Sequence, residues 1–366
     1  MVEWLAGNRI RGTSAEKPVD GAIPTGGAGG WIELKRATGA TLDVTSVPYA
    51  DYYMILLDAG QGSSNSSVDI IINGDVTGGH YPRSYSENFG TQANPTGESR
   101  MPYNTMGGTN TGSGWFGINY ISNVANEQSP AKYDVVFNRG GLGAGNLPYY
   151  INGGFCWAST QTANRFNFSN QNGSGSLTSD SQVVILGYNP TDTHTTNFWE
   201  ELGSTDTLTS GMLDVTIAKK KYLWVQAVWE VATYNGTASA IRFNNDSSGT
   251  DNSSGNYCQR GRQNGNSGDT LETTNRTQIK NTLSGGKRQF MNMFITNNAT
   301  REKLCIIDNV IVGTSSDSSI EGVTVAPRKL KSAGKWDNVT DQIERIQILD
   351  TDANLVNGSI KIWGSD

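Results

Sequence analysis

The segment YLWVQAVWEV, residues 222–231, has an apolar side chain at every odd-numbered position. Its even-numbered positions include Gln226 and Glu230, so the two sets of positions differ in polarity. Side chains of a β-strand point alternately to opposite faces, and this alternation therefore predicts a strand with one face in a protein core. The predicted core face consists of Leu223, Val225, Ala227, Trp229 and Val231.

The segment YYMILLDA, residues 52–59, is apolar at nearly every position and lacks this alternation. A strand of this kind is typical of the middle of a sheet that is covered on both faces. Other short apolar runs, such as residues 68–74 and 359–363, recur at roughly 10–15-residue intervals with turn-forming residues between them. No amphipathic helical pattern interrupts them. The chain is therefore predicted to be all-β and built of jelly-roll-like antiparallel β-sandwiches.

The composition of the chain excludes several classes of protein. Of its 366 residues 17% are charged, and the formal net charge is −6, whereas nucleic-acid binding needs a basic surface. No apolar run reaches the ~20 residues of a membrane span, and residues 1–17 lack the apolar core of a signal peptide. The 3 cysteines are odd in number and widely spaced, which predicts reduced thiols rather than a disulfide framework.

Six short segments of the first half return in the second half in the same order. They are WIEL (31–34) and WEEL (199–202), LDVT (42–45) and LDVT (213–216), DIIINGD (69–75) and AIRFNND (240–246), ISNVANE (121–127) and ITNNATRE (295–302), FCWAST (155–160) and GKWDNV (334–339), and SDSQVVILGYN (179–189) and NGSIKIWGSD (357–366). One such match could arise by chance, but six in order predict an internal duplication.

The duplication divides the chain into four parts. Residues 1–29, rich in Gly and Pro, are predicted to be a flexible N-terminal arm, and residues 190–196 a linker. Residues 30–189 form the first predicted β-sandwich and residues 197–366 the second, each with about eight strands. The equivalent positions in the two copies are predicted to be structural landmarks, namely Trp31 and Trp199, Trp157 and Trp336, and Asp75 and Asp246.

Acidic residues at the ends of two predicted strands suggest weak calcium ligands. Asp246 ends RFNND and Asp251 follows it in the loop, and Asp75 is the counterpart of Asp246 in the first copy. The alternating acids and final Glu of an EF-hand are absent, and Asp and Asn also end strands simply because they form Asx turns. We predict turns and no cofactor, with weak Ca²⁺ binding at these aspartates as the alternative.

No pattern in the sequence points to catalysis. The string GSGWFG, residues 112–117, fits a dinucleotide fingerprint, but a strand-like segment follows it instead of a helix. The 2 histidines, His80 and His194, lie in polar loops without a metal-ligand or nucleophile pattern. Glu200 and Glu201 are adjacent and point to opposite strand faces, so they cannot flank one sugar. We predict that the protein is not an enzyme.

Two further groups of residues have competing interpretations. The basic residues of 219–221 and 327–335 are interpreted as solvated turns or subunit contacts rather than a nucleic-acid or membrane surface. Several loop tyrosines could stack on sugars, although packing in a core or an interface is the commoner role. These tyrosines are Tyr81, Tyr85, Tyr103, Tyr149, Tyr150 and Tyr257.

The second copy, with WEEL, RFNND, Tyr257, GKW and a terminal WGSD, resembles structural proteins of marine phages and related viruses. Those proteins carry tandem β-sandwich modules with the same succession of motifs. The first copy is similar but departs from the pattern, because INGD replaces FNND and LGYN replaces WGSD. Two fused sandwiches in one chain also resemble the double jelly-roll capsid proteins, whose subunits form trimers.

The resemblance implies a virion protein that is made in the host cytoplasm without a signal peptide. The expected role is a capsid shell or capsid-decorating protein of a bacteriophage-like virus, which self-assembles through its sandwich flanks. Its expected partners are further copies of itself, as a homotrimer or a higher assembly, and other virion proteins. The alternative is a tail-fibre or carbohydrate-binding adhesin module, whose partners are host-surface glycans.

Overall fold

The structure, a computed structural model, describes residues 3–5, 9–11, 30–62, 67–105, 113–138, 141–169, 176–189, 197–231, 239–250, 253–263, 271–281, 288–312, 327–350 and 355–366. These residues form strands and turns and include no helix, so the all-β prediction is confirmed. The predicted linker lies outside the described residues. Within the predicted arm, residues 1–29, the structure describes two short strands, β1 (Glu3–Leu5) and β2 (Arg9–Arg11), which pair with each other.

The first sandwich consists of two antiparallel sheets formed by β3 to β14. These strands are β3 (Ile32–Thr38), β4 (Leu42–Val44), β5 (Tyr52–Gly60), β6 (Ser67–Ile72), β7 (Arg83–Glu87), β8 (Gln92–Ala93), β9 (Met101–Thr105), β10 (Gly114–Ser122), β11 (Ser129–Phe137), β12 (Tyr149–Trp157), β13 (Phe166–Ser169) and β14 (Gln182–Tyr188). The large sheet has the order β3-β14-β5-β10-β11-β12-β7-β8, and the small sheet has the order β4-β13-β6-β9.

The second sandwich is formed by β15 to β27. These strands are β15 (Glu200–Thr205), β16 (Leu208–Thr209), β17 (Met212–Thr216), β18 (Tyr222–Val231), β19 (Ser239–Phe243), β20 (Tyr257–Gln263), β21 (Leu271–Arg276), β22 (Ile279–Asn281), β23 (Arg288–Thr296), β24 (Lys303–Val312), β25 (Arg328–Trp336), β26 (Arg345–Asp350) and β27 (Leu355–Ser365). Its large sheet has the order β15-β27-β18-β23-β24-β25-β20-β21, and its small sheet has the order β16-β17-β26-β19-β22.

The strand order of the two sandwiches is the same, apart from the additional short strand β16. Each sandwich has more strands than the predicted number of about eight, in part because edge strands of two or three residues such as β8 and β16 are too short to show an alternation in the sequence. The prediction was wrong on this point. Descent of both sandwiches from one duplicated gene stays a prediction.

Each sandwich has its own core between its large and small sheets. In the second sandwich Leu223, Val225 and Trp229 of β18 are buried there against Ile346 and Ile348 of β26, which confirms the predicted core face of residues 222–231. In the first sandwich the odd-numbered residues of β5 pack in the same way against the small sheet. The apolar alternation of the sequence is thus explained by burial of one face in each sandwich.

A third apolar cluster lies between the two sandwiches. The outer faces of the large sheets contribute side chains such as Met54 and Leu56 of β5 from one side and Trp224 and Phe294 from the other. The molecule therefore has four layers, with the two large sheets packed back to back. This packing explains why residues 52–59 are apolar on both faces, as the sequence predicted for a strand covered on each side.

Candidate functional site

The first sandwich contains a hydrogen-bonded unit built around Asp75 and Trp157. Strand β6 ends at Ile72, and Asn73 and Gly74 then take left-handed backbone angles, with φ of 53° and 73°. This turn directs the Asp75 carboxylate inward, where it accepts hydrogen bonds from Trp157 Nε1 at 2.9 Å and from the Thr77 backbone N–H at 3.0 Å. Asp75 Oδ2 also lies 2.7 Å from Nδ1 of His80.

The second sandwich contains the same unit around Asp246 and Trp336. The Asp246 carboxylate accepts hydrogen bonds from Trp336 Nε1 at 2.7 Å and from the Ser248 backbone N–H at 2.9 Å. Asn256 Nδ2, at 3.0 Å, takes the place that His80 has in the first unit. Trp157 and Trp336 are both only 1% exposed. The structure thus joins four of the six landmark residues into two equivalent Trp–Asp pairs.

A buried tyrosine closes each of these units. Tyr81 accepts a hydrogen bond from the Ile72 backbone N–H at 2.9 Å and donates one to the Asp75 carbonyl at 3.0 Å. Tyr257 makes the equivalent contacts with Phe243 and with the Asp246 carbonyl, at 3.0 and 3.3 Å. Both rings are 0% exposed, so these two tyrosines do not offer surfaces for sugar stacking. Tyr150 is buried as well, and its hydroxyl donates to a buried carboxylate.

One asparagine side chain in each unit ties the turn to a distant loop. Asn73 Oδ1 accepts backbone N–H groups of Asn164 and Arg165, at 2.9 and 3.1 Å. Asn244 Oδ1 accepts those of Glu344 and Arg345 at the same two distances. In the sequence these asparagines are recognisable only as turn formers. Their left-handed backbone angles were predictable, but their partners about one hundred residues away were not.

The surroundings of Asp75 and Asp246 are those of Asx turns. Burial opposes ionisation of each carboxyl, but the hydrogen bonds that it accepts outweigh burial and hold the pKa of both below the usual range. Each Oδ1 accepts the backbone N–H two residues further on, which is the Asx-turn geometry. Among the described residues no group of three or more His, Cys, Asp or Glu is placed to hold a metal ion. Asp251, the third weak candidate ligand, lies outside the described residues.

We expect the thermal midpoint of the protein to change by less than about 1 °C when excess EDTA replaces about 5 mM CaCl2. The reason is that the carboxylate oxygens of Asp75 and Asp246 already accept hydrogen bonds from N–H donors. Differential scanning fluorimetry at constant ionic strength measures the midpoint. Addition of MgCl2 at the same concentration is the control for non-specific effects of divalent ions. A rise of several degrees with Ca²⁺ alone would contradict the Asx-turn interpretation.

The remaining landmark residues, Trp31 and Trp199, lie between the two sandwiches. They are 5% and 4% exposed and belong to the apolar cluster of the large-sheet outer faces rather than to either sandwich core. The backbone joins them, because the Phe198 N–H donates to the Trp31 carbonyl at 2.7 Å. Trp199 packs against Trp224, with ring centroids 5.9 Å apart. The repeated W-x-E-L motif therefore marks an interface position in both sandwiches.

Charged side chains are also buried in this interface. Asp58 at the end of β5 is 2% exposed and binds three groups of the second sandwich. Arg301 Nη1 lies 2.8 Å from its Oδ1, and Lys221 Nζ and Asn298 Nδ2 lie 3.0 and 2.9 Å from its Oδ2. Burial raises the pKa of Asp58, but the two cations outweigh it and hold this pKa below the usual value. The carboxylate is therefore ionised and paired across the interface.

A second buried carboxylate, Asp134 of β11, binds the second sandwich in the same manner. Lys331 Nζ lies 2.6 Å from its Oδ1, and the Tyr150 hydroxyl donates to the same oxygen. Together with Lys221, Lys331 shows that basic residues of 219–221 and 327–335 bind carboxylates across the interface between the sandwiches. Glu200 and Glu201 are not brought together with any of these groups, since they face Lys220 and Lys361 respectively.

The outer face of the second large sheet extends beyond this interface. Val228, Phe290 and Val310 are opposite one another on β18, β23 and β24 and are 37%, 43% and 39% exposed. Beside them lies an open groove of about 530 Å³, which is also lined by Lys361 and Trp363. An apolar row of this kind on a sheet face is a candidate contact surface.

No protein-family model and no curated protein matches the chain. Among solved structures it is similar to domains LG4-5 of the mouse laminin alpha1 chain, with 9% identity over 92% of this chain and 86% of that one and a TM-score of 0.15. It is also similar to a chain from a study of the in-meso crystallization of membrane proteins, with 9% identity over 81% and 88% and a TM-score of 0.12. At these TM-scores neither similarity carries an argument about fold or function.

The described residues include no helix long and apolar enough to cross a membrane.

Proposed function

We propose that this chain is a structural protein of a virus particle, in which it acts as a capsid shell or capsid-decorating subunit. The observation that carries the proposal is the partly covered outer face of the second large sheet. One part of this face is buried against the first sandwich, and the adjoining part presents the exposed row of Val228, Phe290 and Val310. The same sheet thus continues from a completed interface to an uncovered one.

The expected occupant of the uncovered row is a second copy of this chain. Within the chain, outer faces of large sheets already pack against each other with apolar side chains and buried ion pairs. A contact between chains that continues this packing would extend a known type of interface, and most soluble oligomers are formed by identical subunits. Two sandwiches packed against each other in one chain would also supply a single building block with two sheet faces. The sequence resemblance to virion structural proteins supports the same role.

Self-assembly of the purified protein tests the proposal. Light scattering coupled to size exclusion and negative-stain electron microscopy, over a range of protein concentrations, are expected to show trimers or larger symmetric assemblies. Phe290→Glu should shift the protein to monomers without changing its circular dichroism spectrum, because a charge would be buried in the contact. Tyr49→Glu, at a residue that is 49% exposed outside the row, is the matched control and should assemble like the wild type.

A wild-type protein that stays monomeric at every concentration would contradict self-assembly.

A second candidate function, glycan binding by an adhesin, is favoured by the groove beside Phe290, where the aromatic ring adjoins the polar groups of Gln226, Asp206 and Lys361. Aromatic faces with neighbouring hydrogen-bonding groups suit sugar rings. Binding of the monomer to a glycan array, lost in Gln226→Ala, would favour this second function.

A further inference from the structure

Three polar side chains meet in the interface between the sandwiches, apart from the ion pairs of Asp58 and Asp134. Asn138 follows β11 of the first sandwich, Glu302 precedes β24, and Lys335 lies in β25 of the second sandwich. The three residues are 3%, 2% and 0% exposed. Asn138 Nδ2 donates to Glu302 Oε2 at 2.6 Å, and Lys335 Nζ lies 3.2 Å from the same oxygen. A primary amine and a carboxamide from different sandwiches therefore flank one carboxyl group.

The arrangement satisfies its two outer groups poorly. Among the described residues the buried Asn138 Oδ1 has no hydrogen-bond partner, and the buried Lys335 Nζ has Glu302 as its one ion-pair partner. A buried ammonium with a single ion-pair contact and a buried carbonyl oxygen without a donor are both costly. The cost of the ammonium disappears if the amine is converted to a neutral amide. The geometry is thus poorly suited to a purely structural ion pair.

The environment of Glu302 suits proton transfer. Burial raises the pKa of this carboxyl above its usual value, and the nearby Lys335 only partly opposes the shift. A carboxyl of this kind can accept a proton from a neighbouring ammonium and later return it. The Gly143 backbone N–H donates to Oε1 and fixes the orientation of the group. Leu304 and Cys258, 1% and 0% exposed, are the cross-strand neighbours of Lys335 and exclude water from it.

We propose that Lys335 and Asn138 form an intramolecular isopeptide bond in the folded chain, with Glu302 as the catalytic acid and base. Lys335 Nζ first transfers one proton to the Glu302 carboxylate and becomes a neutral amine. The amine nitrogen then attacks Cγ of Asn138, while the protonated Glu302, whose Oε2 lies 2.6 Å from Nδ2 of Asn138, is placed to pass its proton to that departing nitrogen. This step forms the new C–N bond and a tetrahedral intermediate.

The intermediate collapses with loss of ammonia. A proton moves from the new C–N nitrogen, through Glu302, to the former Nδ2 atom, and the bond between Cγ and that nitrogen breaks. The products are a secondary amide between Cγ of Asn138 and Nζ of Lys335, and one molecule of ammonia, which carries away the proton initially held by the ammonium. No oxidant, metal or other reactant is required. The bond joins the two sandwiches covalently, whether or not the protein assembles into a particle.

Mass spectrometry of the purified full-length protein tests the bond directly. Under denaturing conditions the wild-type chain is expected to be lighter than its sequence by about 17 Da, the mass of one ammonia. Trypsin should then release residues 133–139 linked to residues 332–345, with no cleavage after Lys335, because the modified lysine is no longer a substrate. An unmodified mass, with cleavage after Lys335, would overturn the proposal.

Two variants identify the groups that react. Glu302→Gln should abolish the mass loss in a chain that still folds, as judged by circular dichroism, because an amide cannot shuttle the proton. Lys331→Arg is the matched control, since this residue lies on the same strand and in the same interface but pairs with Asp134, and it should retain the full loss. A wild-type loss of about 18 Da, with Lys335 linked to Glu302, would contradict the assignment of Asn138 as the acyl group.

Discussion

Replacing Arg301 by Met is expected to lower the free energy of unfolding by about 3–5 kcal/mol, the usual cost of removing one partner of a buried ion pair. Arg301 and Asp58 are 4% and 2% exposed, and the lost cation would leave the carboxylate with Lys221 and Asn298 as its remaining partners. The apolar stem of Met keeps much of the volume, so the effect reports the charge. Urea denaturation followed by tryptophan fluorescence measures the change.

Arg345→Met is the matched control for this variant. Arg345 forms a two-point ion pair with Asp214 on the surface of the second sandwich, but its side chain is 39% exposed, so its loss should cost less than about 1 kcal/mol. If the two variants were destabilised equally, the ion pair of Asp58 would not be buried in an interface between the sandwiches.

The effect of Arg301→Met should depend on pH in a defined direction. The pKa of Asp58 is lowered in the folded state, so the pair stabilises the protein above the unfolded pKa of about 3.9 and is lost as the pH falls through the folded value. The difference between wild type and variant should therefore be constant from about pH 6 to 8 and shrink below about pH 4. A difference that grows on acidification would have the wrong sign.

Replacing Trp157 or Trp336 by Ala is expected to cost about 3–5 kcal/mol each, as for other large buried aromatic side chains. Both indoles are 1% exposed, and each also donates its N–H to an aspartate in the turn that follows a strand of the small sheet. Denaturant unfolding of the single variants measures the cost. Similar losses at the two positions would show that the two Trp–Asp pairs contribute equally to the free energy of unfolding.

Phenylalanine at the same positions separates packing from hydrogen bonding. Trp336→Phe keeps most of the apolar volume but leaves Asp246 without its indole donor, so a smaller loss of about 1–3 kcal/mol is expected. Tyr49→Ala, at a ring that is 49% exposed, is the control and should change the stability by less than about 0.5 kcal/mol. A loss below about 1 kcal/mol for both tryptophan-to-alanine variants would mean that these residues are not core residues.

The fold class was predictable because the polarity pattern of each strand reflects which of its faces are buried. The alternation in residues 222–231 reflects a sheet with one face in a core, and the uniformly apolar residues 52–59 reflect a strand buried on both faces. The equivalent tryptophans and aspartates were also identified, because both sandwiches use the same contact. Their direct hydrogen bonds were not anticipated. In the second unit Asn256 takes the position of His80, so the contact with the aspartate is kept while the residue type differs. A comparison of the two repeats by residue identity therefore does not reveal this position.

The interface between the sandwiches could not be predicted from the sequence. Asp58 and Arg301 are separated by 243 residues, and each stands next to residues that suggest an ordinary strand end or turn. Asn138 and Glu302, 164 residues apart, are equally inconspicuous. The one available signal was a charged residue inside an apolar run, because Asp58 follows six apolar or aromatic residues and needs a buried partner. Which cation becomes the buried partner of Asp58 depends on how the two large sheets pack against each other.

The two sandwiches form one unit through the outer faces of their large sheets. Differential scanning calorimetry of the intact protein measures whether they also unfold as one unit. We predict a single transition whose calorimetric enthalpy, about 250 kcal/mol at about 0.7 kcal/mol per residue, equals the van't Hoff enthalpy. Two separate transitions, or one with a calorimetric enthalpy about twice the van't Hoff value, would show that the sandwiches unfold independently and would contradict the claim.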